Sequence, residues 1–189
     1  TNYHGIEEFI EYGEGDIVSV RVDGKDASGR CKIRIYFDSR DYVEGYYVTG
    51  DSIRDVAILK LDTPTSKRTP LTLCLPNDDM VGSNIWAVGY PGLSENIFAS
   101  ATTSWGKSDA TVTTGAISRL FTQQGTGQRN IQIDCVIRHG NSGGPLVNDD
   151  GYVLGITCWG YGEDDDSTMN YAVDINEAIL LLDQYDVPY

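Results

Sequence analysis

The sequence predicts an all-β protein, built as a barrel or sandwich of short strands. Three observations support this prediction. Alternating or β-branched apolar runs recur at short intervals, and Gly, Pro and Asp turn signals separate them. The 21 Gly and 12 Tyr suit strands joined by tight turns. Strands and helices do not alternate, which disfavours a doubly wound parallel sheet.

The apolar runs define ten strands. They are predicted at residues 17–22, 31–37, 42–48, 56–61, 85–90, 111–120, 131–137, 145–147, 152–158 and 171–173. The segment 63–79 contains three prolines and many polar residues, so it is interpreted as a linker between two halves of the chain.

One helix is predicted at the C-terminal end. Asp174 is placed to cap it, and Glu177 follows three positions later, as in a capping box. The helix would pack an apolar stripe against the strands, formed by Ile175, Ala178, Ile179 and Leu182.

The charge balance excludes several classes of partner. Fourteen Lys and Arg stand against 28 Asp and Glu, which gives a net charge of −14. A chain of this sign repels nucleic acids and anionic membrane surfaces, so neither is an expected partner. No apolar run approaches the ~20 residues that a membrane span requires. The first residues also lack the basic and apolar regions of a secretory signal peptide.

The four cysteines, Cys31, Cys74, Cys135 and Cys158, are widely spaced. Without a CxxC motif, and with only two histidines, their spacing does not indicate a zinc site. Cys135 and Cys158 lie in apolar runs, which favours free thiols, although disulfide pairing remains open. The acidic run at 163–166 favours a solvated loop tip over a calcium loop.

The most informative segment is the loop GNSGGPL at 140–146. Ser142 lies between Asn141 and two glycines, just before an apolar strand. Glycines permit backbone angles that other residues resist, so such a loop can expose a serine hydroxyl. It can also direct the amides of Gly140 and Ser142, on either side of Asn141, toward one point as an oxyanion hole.

A nucleophilic serine needs a base and an acid that orients the base. His139 lies only three residues before Ser142 in the same loop and is poorly placed to reach back to it, which favours His4 as the base. Asp55, which leads into the apolar run at 56–61, is the candidate acid. The alternative is that Asp55 has no catalytic role and only caps the strand. Its catalytic role requires a buried carboxylate that accepts a hydrogen bond from the imidazole.

Together these motifs resemble the chymotrypsin-like serine proteases, and most closely their bacterial HtrA (Deg) branch. The order His4, Asp55, Ser142 is that of the superfamily. The resemblance extends over TNYH at 1–4, DVAILK at 55–60, WAVGYP at 86–91, TTGAIS at 113–118 and the serine loop.

The resemblance implies two packed six-stranded barrels with a site between them. Residues 1–75 would form the first barrel, short of its opening strands, and residues 76–189 the second barrel with the helix. Ser142 would be the nucleophile, His4 the general base and Asp55 its orienting acid, with Gly140, Asn141 and Ser142 forming the oxyanion hole. No metal or cofactor is required.

The resemblance also suggests substrate contacts. Val136, six residues before Ser142, would form the floor of the primary pocket and cannot pair with a basic side chain. Cys158, Trp159 and Gly160 resemble the segment that pairs with the substrate backbone and lines the pocket, and Gly160 would leave its wall open. Thr157 occupies the position at which Glu-specific relatives carry a His, which argues against Glu specificity. An apolar or small residue is therefore expected before the scissile bond.

The expected activity is that of a serine endopeptidase acting on proteins or peptides. The alternative is a catalytically inactive, protease-like module that binds peptides. Family habit suggests a bacterial protein outside the cytoplasm, in the cell envelope or secreted, and is compatible with a homo-oligomer.

Overall fold

The computed structural model describes residues 1–7, 17–22, 25–30, 33–91, 106–158 and 169–189, with the backbone alone for 17–22 and 25–30. Cys31, Trp159, Gly160 and the acidic run at 163–166 lie outside the described residues, and so do the predictions made for them.

The described chain consists mainly of β-strands. The strands are β1 (Ile17–Val22), β2 (Lys25–Arg30), β3 (Ile33–Tyr36), β4 (Tyr42–Asp51), β5 (Val56–Leu61), β6 (Asn84–Gly89), β7 (Thr111–Thr122), β8 (Arg129–Ile133), β9 (Pro145–Val147), β10 (Val153–Cys158) and β11 (Asn170–Asp174). Short 3-10 turns occupy Asp78–Met80 and Lys107–Asp109, and helix α1 covers Ile175–Gln184. The all-β prediction is confirmed; β2 is a strand that the sequence pattern missed.

The C-terminal half is a closed, antiparallel six-stranded barrel with the strand order β10-β11-β8-β7-β6-β9. Alternating side chains point inward along each strand, because successive residues face opposite sides of a sheet. The barrel encloses an apolar cluster that is built from residues such as Ile85, Ile117, Ile131, Leu146 and Leu154.

The N-terminal half contains two separate groups of described strands. Its described strands form an antiparallel sheet in the order β3-β4-β5 and a separate hairpin of β1 and β2. This arrangement is consistent with the expected chymotrypsin-like double barrel. The predicted linker holds only an isolated bridge from Leu73 to Val153 and a 3-10 turn.

Helix α1 closes the structure against both halves. Asp174 caps it as predicted, since its carboxylate accepts a hydrogen bond of 2.9 Å from the Asn176 amide. Ile175 and Ala178 are buried in a second core with Val56 of β5 and Val173 of β11. Glu177 does not complete the capping box; its carboxylate is directed instead to two arginines. None of the described helices is long and apolar enough to cross a membrane.

Candidate active site

The structure brings His4 and Asp55 together, although 51 positions separate them in the chain. His4 Nδ1 lies 3.0 Å from Asp55 Oδ1 and 2.9 Å from Oδ2, and the His4 amide donates to Oδ1 at 2.9 Å. An ionised carboxylate can only accept hydrogen bonds, so Nδ1 carries the proton in the neutral ring. This tautomer leaves the Nε2 lone pair free to accept a proton.

The backbone of Asp55 holds its carboxylate in place. Asp55 has φ 52°, a left-handed conformation that Asp tolerates better than most residues. The Asn2 side-chain amide donates to the Asp55 carbonyl at 3.1 Å, and the Gln128 side-chain amide donates to the Arg54 carbonyl at 2.9 Å. The turn before β5 is therefore fixed from the histidine segment on one side and from the barrel on the other.

A buried ion pair adds a third anchor to this turn. Arg54 Nη1 donates to Glu177 Oε2 at 2.7 Å, and the Arg129 amide donates to Glu177 Oε1 at 2.9 Å. The Glu177 side chain is 1% exposed and that of Arg54 is 36% exposed. Helix α1 thereby connects the residue that precedes Asp55 to strand β8 of the barrel.

The contact between His4 and Asp55 also shifts the pKa values of both residues. The hydrogen bond from the ring to Asp55 raises the pKa of His4 above its ordinary value, and this effect outweighs burial of the ring. Burial acts to raise the pKa of Asp55, but the hydrogen bonds from His4 together hold it below its ordinary value. The pair thus favours an ionised Asp55 and an imidazole that readily takes a proton.

Ser142 lies in a tight loop between β8 and β9. Gly140 and Gly143 adopt φ of 91° and 84°, a region that favours glycine. Gly144 is packed so closely that a Cβ there would clash with the Val88 carbonyl oxygen. The glycines of the motif are therefore required by backbone shape, as the sequence predicted, and they leave the Ser142 side chain half-buried.

The loop also leaves two amides available. The amides of Asn141 and Gly144 donate to Arg138 and Asn141 carbonyls at 3.0 Å each, and that of Gly143 donates to Thr157 at 2.9 Å. The backbone amides of Gly140 and Ser142 donate none of the hydrogen bonds found among the described residues. This is the pair that the sequence predicted for an oxyanion hole, whereas the amide of Asn141 is already engaged.

Thr157 stabilises the serine loop from below. Its side chain is fully buried, and its hydroxyl lies within hydrogen-bonding distance of the Asn141 and Gly144 carbonyl oxygens. Its backbone amide also donates to the Gly144 carbonyl at 2.8 Å. Thr157 therefore holds the loop in shape, and its predicted contact with substrate stays a prediction.

The two parts of the site are not joined by a hydrogen bond. Of the hydrogen bonds in the described residues, none links His4 to Ser142. The histidine ring is open to solvent, with 46% of its side chain exposed. His139 is also exposed, in agreement with its interpretation as a surface residue of the loop.

A groove of about 470 Å³ adjoins Asp55. Its walls carry apolar and aromatic side chains from both halves, including Ile53, Phe121, Tyr171 and Val173. Val136, the predicted pocket floor, is 51% exposed and does not line this groove. The roles of Trp159 and Gly160 fall outside the described residues.

Among the described residues, no disulfide joins Cys74, Cys135 and Cys158 to one another. Cys135 is buried, which raises its thiol pKa to about 11. The Cys158 thiol instead donates to Asp55 Oδ2 at 3.3 Å. Sequence reasoning missed this contact, together with Asn2, Gln128 and Glu177, because only the fold places them beside the Asp55 turn.

The closed barrel, the second sheet and a carboxylate-held histidine define a chymotrypsin-like protein. Residues 1–156 match the family model described as "Trypsin-like peptidase domain". The chain therefore belongs to the trypsin-like peptidase family.

Its relatives are Do-like, or HtrA, proteases. It is 33% identical over 135 residues to "Protease Do-like 1, chloroplastic" of Arabidopsis thaliana, covering 68% of this chain and 27% of that protein. It is 30% identical over 192 residues to "Serine protease Do-like HtrA" of Lactobacillus helveticus, covering 92% of this chain and 43% of that protein. Relatives thus occur in plants as well as bacteria, so the match does not single out the bacterial branch.

A solved structure supports the same fold. The alignment with the crystal structure of Deg5 covers 100% of this chain and 79% of the Deg5 chain, with a TM-score of 0.61 and 26% sequence identity. The chain spans half or less of the first curated relatives that it matches, with shares of 27%, 31% and 50%.

Proposed function

We propose that this chain is a serine endopeptidase domain that hydrolyses peptide bonds through His4, Asp55 and Ser142. The observation that carries the proposal is the His4–Asp55 pair, which fixes the imidazole with its proton on Nδ1 and its Nε2 lone pair free. Membership of the trypsin-like peptidase family supports the assignment of Ser142 as the third member.

The chemistry follows from these positions. Ser142 Oγ attacks the carbonyl carbon of the scissile bond while His4 Nε2 takes the hydroxyl proton. The oxyanion that forms accepts hydrogen bonds from the amides of Gly140 and Ser142, which remain available beside Asn141. His4 then gives its proton to the leaving amine, and water hydrolyses the acyl-enzyme by the same steps in reverse order. Asp55 stabilises the imidazolium throughout.

The substrate preference is proposed to be an apolar or small residue before the scissile bond. Val136 presents no charge to a basic side chain. The groove beside Asp55 offers apolar and aromatic side chains such as Ile53, Phe121 and Val173, next to polar ones such as Gln123 and Thr126. Substrates would be proteins or peptides. A homo-oligomer and a location outside the cytoplasm remain proposals that rest on the family resemblance.

Labelling with a fluorophosphonate probe tests the proposal, because the probe reacts only with an activated serine. The probe is expected to label the chain, and Ser142→Ala should abolish both labelling and peptide hydrolysis. Ser118→Ala is the matched control, since this serine lies exposed on β7, and it should retain both.

Two results would contradict the proposal. One is labelling that persists in Ser142→Ala, which would assign the reactive group elsewhere. The other is peptide binding without any labelling or turnover between about pH 6 and 9, the range in which an imidazole base titrates. That second result would favour the non-catalytic peptide-binding module.

A further inference from the structure

Three metal-ligating side chains converge where the two halves of the molecule meet. His4 Nδ1 and Cys158 Sγ lie 2.9 Å and 3.3 Å from the same atom, Asp55 Oδ2. The ligand atoms of the three residues all lie within 4.8 Å of one another. They come from the N-terminal segment, the turn before β5 and the end of β10, so the fold alone assembles the cluster.

The donor set is one that zinc prefers. Thiolate sulfur, imidazole nitrogen and carboxylate oxygen are the usual ligands of Zn²⁺, and three protein ligands leave its fourth position for water. Zinc–ligand bonds of 2.0–2.3 Å in a tetrahedral site imply separations of about 3.3–3.8 Å between ligand atoms. The two separations to Asp55 Oδ2, 2.9 Å and 3.3 Å, are slightly shorter, so an ion would enter by moving the His4 and Cys158 side chains away from the carboxylate by a few tenths of an ångström.

We propose that His4, Asp55 and Cys158 form a zinc site that switches the catalytic base off. This inference rests on the proposed function, because it concerns the base of that reaction. The ion would replace the two protons that now join the ring and the thiol to the carboxylate. The thiol proton goes to solvent, and the imidazole proton moves from Nδ1 to Nε2, so one Zn²⁺ binds and one proton is released.

Inhibition follows from that change of tautomer. With zinc on Nδ1, Nε2 carries the proton and has no lone pair to accept the proton of Ser142. Substrate could still occupy the groove, but the hydroxyl would not be activated.

Access and charge favour the ion. The His4 side chain is 46% exposed and that of Asp55 is 19% exposed, so the cluster opens to solvent. The net charge of −14 attracts cations to the surface and raises their local concentration. Thiolate softness selects zinc over magnesium and calcium, which prefer sites made of oxygen ligands alone.

Cobalt titration of the 189-residue chain tests the site without reference to activity. Co²⁺ occupies zinc sites, and a thiolate ligand gives it a charge-transfer absorption band in the near ultraviolet. The expected result is a band that saturates at one ion per chain and is lost when zinc is added. Cys158→Ser should remove the band, whereas Cys74→Ser, which alters a cysteine outside the cluster, should keep it.

A second variant protects the test against misfolding. His4→Gln changes an exposed side chain, and it should also remove or strongly weaken the band. Circular dichroism and thermal unfolding establish that each variant is folded. A wild-type chain that gives no thiolate band, or a folded Cys158→Ser variant that keeps it, would overturn the site.

Inhibition is measured separately on peptide hydrolysis. Zinc should inhibit the wild-type chain, and a chelator should restore its activity. The inhibition constant should weaken in Cys158→Ser by at least about 10- to 100-fold, the loss that even an outer-shell partner of a metal can cause. Equal zinc sensitivity in the wild-type chain and Cys158→Ser would overturn the switch.

The two hypotheses fail in different ways. A chain that hydrolyses peptides but shows no thiolate band retains the proposed function and loses the zinc site. A chain that binds cobalt through Cys158 but neither hydrolyses peptides nor reacts with the probe retains the metal site, whereas the proposed function and the switch both fail.

Discussion

The two halves of the candidate site are built by different means. On the N-terminal side, His4 and Asp55 are held by side-chain hydrogen bonds and by a nearby ion pair. On the C-terminal side, the Ser142 loop is held by backbone hydrogen bonds, by glycines and by the buried Thr157 hydroxyl. The first half depends on charge, whereas the second depends on backbone shape.

This difference predicts how each half responds to change. Removal of a charge should disturb the N-terminal half strongly and the serine loop little. Removal of a buried hydroxyl should do the reverse. Substitutions in the two halves therefore separate proton chemistry from the positioning of the nucleophile.

The largest effect is expected for Asp55→Asn. The amide can donate a hydrogen bond to Nδ1, which would stabilise the wrong tautomer of His4 and direct a protonated Nε2 toward the serine. We expect kcat to fall by about 10⁴-fold, the loss seen for the equivalent change in the trypsin-like template. Steady-state peptide hydrolysis measures it.

Asp51→Asn is the matched control, because this carboxylate lies in the same turn and accepts hydrogen bonds from the Ile53 and Arg54 amides at 2.9 Å. Its kcat should change only a few-fold if the Asp55 effect concerns the tautomer. Equal losses in both variants would show that the turn merely needs its negative charges.

The next effect concerns Glu177, which anchors the residue before Asp55. Glu177→Ala removes the acceptor of Arg54 Nη1 and of the Arg129 amide at the start of β8, while Arg54 keeps its ion pair with Asp51 at 3.4 Å. The free energy of unfolding should therefore fall by about 3 kcal/mol, at the low end for a broken buried pair because Arg54 is partly solvated. Glu177→Gln keeps an acceptor and should recover part of this loss. Denaturant unfolding measures the free energy, and kcat should fall along with it.

An exposed ion pair provides the comparison. Lys67 and Asp41 are 47% and 40% exposed, so Lys67→Ala should cost less than about 1 kcal/mol and leave kcat unchanged. Similar costs for Lys67→Ala and Glu177→Ala would argue against a special role of the buried anchor.

A smaller effect is expected for Thr157→Val, which keeps the shape of the side chain but removes the hydroxyl under the serine loop. The Asn141 and Gly144 carbonyls each keep a backbone donor, so the loss should be that of an ordinary hydrogen bond, about 0.5–1.5 kcal/mol, and the loop should become less ordered. Thermal unfolding and kcat measure the two consequences. Thr157→Ser retains the hydroxyl and should preserve kcat; a loss of kcat equal to that of the valine variant would implicate packing.

The smallest effect is a displacement of pH profiles. His4 acts as a base only when neutral, and its raised pKa places the acid limb of kcat/KM above the ordinary value of 6.5. His4 and Asp55 each contribute to the stability of the fold, and the two contributions are lost at opposite ends of the pH range. The His4 contribution is complete below 6.5 and is lost as pH rises through its raised pKa, whereas the Asp55 contribution is complete above 3.8 and is lost as pH falls through its lowered pKa.

Stability from this pair and activity should therefore change in opposite directions as His4 loses its proton. The difference in unfolding free energy between the wild-type chain and Asp55→Asn, measured from pH 4 to 9, isolates the contribution of the pair from other carboxylates. A difference that stays constant as kcat/KM rises would contradict the assignment of the acid limb to His4.

Local patterns were sufficient for most of the fold. Nine of the ten predicted runs overlap strands with described side chains, and the tenth, at 17–22, coincides with β1. β2 was missed because its sequence, KDASGR, has neither β-branched residues nor alternation. The predicted capping box does not form, because the Glu177 carboxylate accepts hydrogen bonds from the Arg54 side chain and from the Arg129 backbone amide instead.

The sequence by itself determined the strand pattern, the cap of the last helix, the glycines of the serine loop and the candidate residues His4, Asp55 and Ser142. Each of these depends on local conformational preference or on a compact motif. Only the tertiary structure decided that Thr157 supports the serine loop, that Glu177 anchors the Asp55 turn and that Cys158 touches the Asp55 carboxylate. These contacts join residues that are 16, 123 and 103 positions apart, and packing of separate strands, not chain proximity, sets such distances.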